Sequence, residues 1–489
     1  MEDCKMSNVS TGKASERIAG LLDAQSFVEI GSYVTARSTD FNLPEKETPA
    51  DGVITGYGTI DGNLVYVYSQ DAAVLGGSMG EMHAKKISAV YSLAMKMGAP
   101  VIGLIDCAGL RLQEGTDALQ AFGGLYMNQV EASGVIPQIT AVFGTCGGGM
   151  GIVPALTDFT FMEKDHAKLF VNAPNALDGN TAAKCDTASA AYQSESVGSV
   201  DATGTEAEIF EEIRNLISVL PANNEDDMSY EECTDDLNRV CADLENCAGD
   251  TSIALSMISD DNFFFETKRD FAKEMVTGFI RLNGNTVGAV ANRSELVDED
   301  GNTAETFDGV LTAAGCEKAA KFVEFCDAFS IPVLTLTNVK GYKADKHQER
   351  KIAKAVASMT YAFANATVPK VNVLVGAAYG SAYVAMNSKS IGADLVFAWP
   401  QASVGMMDAK SAARIIYADE LAKAENSAAL LNEKTKAYAE LQSSALSAAK
   451  RGYVDNIIDS QDTRKYVIGA FEMLYTKREE RPAKKHGTV

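Results

Sequence analysis

One α/β domain built twice in tandem is the fold the sequence predicts, and three observations predict it. A helix–turn–strand block recurs at a fixed separation. A glycine-rich loop comes after a buried strand in each copy, again at that separation. Strand-like runs alternate with helix-like runs throughout both copies, which argues for a largely parallel sheet with helical crossovers. The chain has 489 residues, too many for one ordinary domain and enough for two of about 200 or more. With 46% hydrophobic and 22% charged residues, it has material for two buried cores.

The repeat can be traced element by element. "GYGTIDGNLVYVYSQD" is echoed by "GFIRLNGNTVGAVANRSE", with a register that slips by about ten residues relative to the later blocks. "KKISAVYSLAMKMGAPVIGLID", Lys85 to Asp106, matches "EKAAKFVEFCDAFSIPVLTLTN", Glu317 to Asn338. Each reads as an amphipathic helix, a turn ending in proline (Pro100 and Pro332) and a buried strand. "PQITAVFGTCGGGMG" from Pro137 and "PKVNVLVGAAYGSAY" from Pro369 keep the separation set by those two prolines, with Gly144 and Gly376 at matching places. The copies join through an acidic stretch near 200–262. Residues 201–250 hold fifteen Asp/Glu against two Arg and no Lys, a solvated and partly irregular face. We divide the chain at 1–255 and 256–489.

Charge and cysteine usage exclude several function classes. The net charge of −23 opposes binding to a phosphate backbone, so nucleic acid is not an expected partner. An anionic small ligand requires local Lys and Arg. The nine cysteines form no CxxC pair, so neither a zinc ribbon nor a disulfide framework is expected, and no metal site is assigned. No apolar run approaches the roughly 18 residues of a membrane span, and "MEDCKMSNVSTGK" carries no apolar leader segment; a cytoplasmic location is expected.

The loop "GTCGGGMG", Gly144 to Gly151, admits three readings: a tight turn, a phosphate cradle, or a pair of main-chain donors for an oxygen that becomes negative. A P-loop needs Gly-Lys-Ser/Thr after its glycines, and neither copy has it. The dinucleotide pattern GxGxxG fits only loosely. After each loop comes a run that could open a helix and would present unpaired N–H groups and the positive end of a dipole. Gly148 and Gly149 are the natural donors in the first copy; Gly380, Ser381 and Ala382 lie at the equivalent place in the second.

With these motifs in place, the chain resembles the carboxyltransferase subunits of biotin-dependent acyl-CoA carboxylases, including propionyl-CoA carboxylase β chains and methylmalonyl-CoA decarboxylase α chains. The resemblance runs through nearly the whole chain, from "ERIAGLLDAQSFVEIG" through "GGSMGEMHAKK", "GAPVIGLIDCAGLRLQEG" and "ATVPKVNVLVGAAYGSAYVAM" to "KRGYVDNIID". It implies two crotonase-like domains per chain, of the ClpP/crotonase fold. It also implies an active site formed between the N-domain of one subunit and the C-domain of a partner, in a dimer-based homo-oligomer, a hexamer. Two oxyanion holes are implied as well: Gly148 and Gly149 for an acyl-CoA thioester on the N-terminal side, Ser381 and Ala382 for a biotin ureido carbonyl on the C-terminal side. Gly380, Tyr383, Val384 and Arg111 are the implied binding residues, with Val384 set to influence acyl-chain choice. Biotin would arrive on a carrier protein served by a biotin carboxylase, or by a membrane decarboxylase subunit that would bring this chain to a membrane. The substrate class is propionyl-CoA/methylmalonyl-CoA or acetyl-CoA/malonyl-CoA.

The chain also departs from the family pattern at several places. Where the family reads "DSGGARIQEG", this chain has "DCAGLRLQEG", which places Cys107, Ala108 and Leu110 in that loop. "PGF" becomes "KGY", Lys340 to Tyr342. Asp408 replaces a glycine in "GMMDAKSA", so a positive φ there would be strained. "AMKM", Ala94 to Met97, copies a biotin-attachment motif, but Lys96 falls on a helix rather than an exposed hairpin tip. Lys85 and Lys86 read as a solvated helix face, with a place near CoA phosphates as the alternative. His83, His166, His347 and His486 are scattered, and His83 reads as structural. Two other readings stay open: a crotonase-type hydratase or biotin-independent decarboxylase, which would need a side-chain acid or base, and a non-catalytic acyl-CoA-binding scaffold.

Overall fold

The computed structural model describes residues 12–37, 48–177, 186–226, 231–298 and 300–483. The chain forms two compact units, 1–229 and 230–489. His486 lies outside the described residues. Among the described residues, no helix is long and apolar enough to cross a membrane.

In the first unit the strands are β1 (Val28–Ile30), β2 (Val53–Ile60), β3 (Asn63–Gln70), β4 (Ser78–Met79), β5 (Val101–Cys107), β6 (Gly109–Leu110), β7 (Gln138–Gly147), β8 (Phe159–Glu163), β9 (Lys168–Phe170) and β10 (Ala202–Gly204). Its main sheet runs β1-β2-β3-β5-β7-β8-β10, with β9 beside the end of β7. The second unit holds β11 (Phe264–Thr267), β12 (Met275–Leu282), β13 (Asn285–Asn292), β14 (Glu295–Val297), β15 (Thr303–Thr306), β16 (Val333–Val339), β17 (Lys370–Tyr379), β18 (Leu395–Ala398), β19 (Ser403–Gly405) and β20 (Asn456–Ile457). Its sheet, β11-β12-β13-β16-β17-β18-β20 with β19 beside β17, repeats the first in order and sense. The first three strands of each sheet pair antiparallel and the rest parallel.

The repeated sequence features have repeated structural jobs. The turn residues Asp61-Gly62 and Asn283-Gly284 all take positive φ, the two-residue hairpin geometry that Asp-Gly and Asn-Gly favour. Pro100 and Pro332 stand just before β5 and β16, where a missing N–H breaks no ladder, and their carbonyls accept from Tyr66 (2.9 Å) and Gly288 (2.8 Å) on the adjacent strand. The register slip also has a cause. The two hairpin turns lie closer together in sequence than the two prolines do, because between turn and proline the second unit carries the additional hairpin β14–β15.

Each unit has its own core. In the first, Val101, Ile105, Val142 and Met162 from the sheet pack against Ile87, Val90 and Tyr91 of the helix Glu81–Met97. In the second, Val276, Ala289, Leu334 and Val373 pack with Trp399 and Val467. The acidic stretch is more ordered than a solvated connector. It supplies β10 and the helix Glu206–Val219, whose start is closed by a capping box between Thr205 and Glu208. Beyond it, Asp235 and Asp260 pair with the buried Arg464 of the last helix, which fastens this segment to the second unit.

Two local expectations are corrected. Lys86 is buried rather than solvated: its Nζ donates to the carbonyls of Ala50 (2.9 Å) and Val53, and burial pushes its pKa down to about 8. Lys85 does stay exposed, paired with Glu81. Asp408 takes φ −59°, not a positive value, and its Oδ1 accepts from the Ser411 N–H (3.0 Å) at the start of the helix Ala409–Ile416. An aspartate here is a cap, so the lost glycine brings no strain. Asp408→Ala should therefore destabilise the second unit by about 0.5–2 kcal/mol and Asp408→Gly by a few tenths. Urea denaturation measures both; a glycine variant more stable than the parent would contradict the cap.

Candidate active site

The site begins with two strand ends. β7 and β17 each run to a residue with extended φ/ψ, Gly147 and Tyr379, and next to each stands a glycine with φ near that of a left-handed turn: Gly148 at +63° and Gly380 at +61°. These glycines keep the separation of Pro100 and Pro332, the spacing of the whole repeat. A side chain at either would be strained. No atom lies within 4 Å of where a Cβ on Gly148 would stand, so the turn faces open space. A short helix begins at each, Gly148–Ile152 of 3₁₀ type and Gly380–Ala385. The N–H groups of Gly148, Gly149, Ser381 and Ala382 fall in first turns, where no intrahelical acceptor reaches them.

Each loop is pinned from behind by the preceding parallel strand. Asp106, near the end of β5, accepts the Thr145 N–H on Oδ1 at 3.2 Å; Asn338, its counterpart on β16, accepts the Ala377 N–H on Oδ1 at 3.0 Å. Gly144 and Gly376 make room for these side chains. A Cβ there would lie 2.0 Å from Asp106 Oδ1 and 2.5 Å from Asn338 Oδ1. The pins are themselves held. Gln70 Oε1 accepts the Asp106 N–H and Asn292 Oδ1 accepts the Asn338 N–H, both at 3.2 Å. In the first unit the relay extends to His83, whose Nε2 accepts from Gln70 Nε2 (3.1 Å) while Nδ1 donates to the Asp51 carbonyl (2.9 Å). Burial, with Arg111 nearby, pushes His83 down to about pKa 3, so the ring stays neutral and its Nε2 stays an acceptor.

The loops that flank the glycines also correspond. β6 pairs with β4, Arg111 N–H donates to Met79 O (2.8 Å) and Ala108 N–H to Gly77 O (3.2 Å). In the second unit Lys343 N–H donates to Leu311 O (2.9 Å) and Lys340 N–H to Gly309 O (2.8 Å). The side chains differ. Arg111 is buried: Nη1 lies 2.6 Å from both Asp51 Oδ1 and Glu114 Oε1, and Nη2 donates to Ser78 O at 2.8 Å. Burial raises the Asp51 pKa against the pull of Arg111. This corrects the expectation of Arg111 as a binding residue. Its guanidinium is taken up by internal carboxylates, and its effect is to hold the β6 loop.

The remaining expected residues of the second unit lie on the helix Gly380–Ala385. Ala382 is buried, Ser381 is exposed, and Val384 is 38% exposed on the same helix. Tyr383 packs against the core under that helix, and burial pushes its phenol up to about 12. Lys96 sits in the last turn of the helix Glu81–Met97, not at a hairpin tip. Two tyrosines escape the sequence reading. Tyr126 donates its hydroxyl to the Gly149 carbonyl at 2.6 Å, and Tyr342 donates its hydroxyl to Ser381 Oγ at 3.0 Å. The pins escape it too, although Asp106 and Asn338 end the two aligned blocks. Among the described residues, no cluster of His, Cys, Asp and Glu is arranged to hold a metal ion.

The family described as "Carboxyl transferase domain" matches residues 10–489. The propionyl-CoA carboxylase carboxyltransferase subunit of Haloferax mediterranei is 40% identical over 100% of this chain and 95% of its own. Subunit alpha of methylmalonyl-CoA decarboxylase from Veillonella parvula is 38% identical over 97% of this chain and 92% of its own. Among solved structures, transcarboxylase 12S, described as a hexamer with methylmalonyl-coenzyme A and methylmalonic acid bound, superposes with a TM-score of 0.91 at 36% identity, covering 97% of this chain and 91% of that one. The fold is thus a pair of crotonase-like domains.

The neutral ring of His83 has a measurable effect. A buried His that titrates near 3, against about 6.5 when unfolded, lets the unfolded chain bind the extra proton between those values. Stability held at pH 7 is lost as pH falls through 6.5, by about 2 kcal/mol at pH 5. In urea titrations at pH 7 and pH 5, His83→Gln should lose correspondingly less on acidification than the parent. Parallel losses would show that the ring protonates normally.

Proposed function

The chain belongs to the carboxyl transferase domain family, and on that premise we propose that it moves a carboxyl group between biotin on a partner carrier protein and the α-carbon of a short acyl-CoA, with propionyl-CoA and methylmalonyl-CoA as the pair. The observation that carries this reading is the duplicated glycine turn. Two loops with the same backbone, at +63° and +61°, offer donors to two carbonyl oxygens. The first half, residues 1–255, takes the thioester, and the second, residues 256–489, takes the biotin ureido oxygen.

The chemistry needs little else. Taking a proton from the carbon next to a thioester puts charge on the thioester oxygen, and the N–H groups of Gly148 and Gly149 are the donors that would hold it. Losing one such donor typically costs about 2.7–4 kcal/mol of barrier. Biotin, when delivered, supplies the carboxyl carrier and a ureido nitrogen able to accept the α-proton. The second loop fits its ureido oxygen, because the main-chain N–H groups of Ser381 and Ala382 have no acceptor within their own short helix. Neither glycine loop, 144–151 or 376–384, carries a carboxylate or a histidine, so the chain's part is to orient both substrates and hold charge. Val384 offers an apolar wall that favours one extra methyl on the acyl chain, worth about 1–3 kcal/mol.

The partners that fit are a biotin carrier with its biotin carboxylase, in the cytoplasm, and further copies of this chain in a hexamer like that described for the transcarboxylase. A second reading, in which the chain runs the reaction toward decarboxylation beside a membrane subunit, is favoured by the Veillonella parvula relative.

The test is turnover of methylmalonyl-CoA with free biotin. Biotin-dependent loss of the carboxyl group is expected. Turnover indifferent to biotin would mark a hydratase-like or biotin-independent enzyme, and tight CoA binding without turnover a scaffold. Gly148→Ala, with room for the methyl but a strained φ, should lower kcat/KM by about 100-fold or more while thermal unfolding shows a cost of about 1–2 kcal/mol. Wild-type activity in that variant would remove the turn from the mechanism.

A further inference from the structure

The two glycine turns share a backbone, and they differ in chemistry at two positions that touch. Gly149 in the first unit corresponds to Ser381 in the second, and Leu110 corresponds to Tyr342; both pairs keep the separation of the repeat. Where the first unit has a bare backbone and an apolar side chain, the second has two hydroxyls, and these meet: Tyr342 Oη donates to Ser381 Oγ at 3.0 Å.

Main-chain bonds hold both partners in place. Gly341 O accepts the Leu311 N–H at 2.9 Å and Lys343 N–H donates to Leu311 O at 2.9 Å, so Tyr342 sits in a short parallel bridge. Ser381 is fixed between Gly380, with its +61° turn, and the buried Ala382. A serine hydroxyl has one proton and two lone pairs. Tyr342 fills an acceptor position of Ser381 Oγ, and the serine proton is left to point at something else. Ser381 is exposed on the turn whose N–H groups would face the bound carbonyl. A hydroxyl that accepts one hydrogen bond also donates a stronger one.

We propose that the Ser381 hydroxyl is a third hydrogen-bond donor to the carbonyl bound by the second unit, with Tyr342 as the positioning residue that sets its proton outward. This rests on the carboxyltransferase reading and goes beyond it, since it makes the two oxyanion holes unequal. The difference suits the two oxygens. A thioester oxygen is a weak acceptor served by two donors, whereas a ureido oxygen is a strong one and accepts a third. The hydroxyl pair therefore marks the second hole as the ureido site and helps it reject a thioester.

The experiment measures methylmalonyl-CoA decarboxylation with free biotin for the parent, Ser381→Ala, Tyr342→Phe and the double variant, with CoA affinity by calorimetry and thermal unfolding of each. Ser381→Ala should lower kcat by about tenfold or more, with CoA affinity and Tm unchanged. Tyr342→Phe should lower kcat by about threefold to tenfold, in line with one neutral hydrogen bond. The double variant should be no slower than Ser381→Ala alone, because the tyrosine acts through the serine. Parental kcat in Ser381→Ala, multiplicative losses in the double variant, or losses that track a lowered Tm would each overturn the proposal. Absence of biotin-dependent turnover in the parent would instead strike the carboxyltransferase reading beneath it.

Discussion

One hydrogen bond, made twice, governs this structure: a side-chain oxygen near the end of one parallel strand accepts the N–H of the second residue of the glycine loop on the next. Asp106 does this for Thr145 and Asn338 for Ala377. Parallel strands alone would fix the loop only as far as their ladder runs, and both ladders turn irregular just there, between Ile105 and Cys107 and between Thr337 and Val339. The pins take over where the sheet lets go. Gly144 and Gly376 are consequences of this constraint, since only a residue without a Cβ leaves space for the pinning side chain.

The polar interior of the first unit extends the same logic. Its buried groups include Gln70, His83, Arg111, Asp51 and Glu114, an expensive set to desolvate. They are nearly all hydrogen-bonded to one another or to main chain. Their common effect is to hold strand ends and the β6 loop against the glycine turn, so catalytic precision is stored some distance from the reacting atoms. The second unit reaches the same backbone with a lighter set, Asn292 and Asn338, and places an exposed Lys343–Asp308 pair where the first buries Arg111.

Much of this is legible in the sequence, for a physical reason. A sheet buried on both faces demands apolar strands and fixed crossovers, so the blocks around Pro100 and Pro332 keep their spacing and their pattern. The glycines of the turns are equally visible, because few other residues tolerate their φ. The surroundings of charged and polar side chains are not. Arg111 and Lys86 look on paper like cations free for a ligand, and only the fold shows carboxylates and carbonyls closing around them. Asp408 looks on paper like a strained substitute for glycine, yet it caps a helix at an ordinary negative φ. Backbone conformation at a single position depends on neighbours that a linear motif does not display. Tyr126 and Tyr342 stay hidden because a hydroxyl's partner is set by tertiary approach.

The bareness of the glycine turns has a further consequence for anyone mapping this protein by genetics. The groups assigned here to hold developing charge are peptide amides, and a peptide amide survives nearly every codon change. A scan replacing side chains one at a time would pass over them and raise its alarms elsewhere, at the asparagines, glutamines and tyrosines that hold the loops in place. The resulting map of sensitive positions would outline the scaffold and touch the reaction centre only where a turn glycine such as Gly148 is strained or a side chain such as Ser381 shares in it.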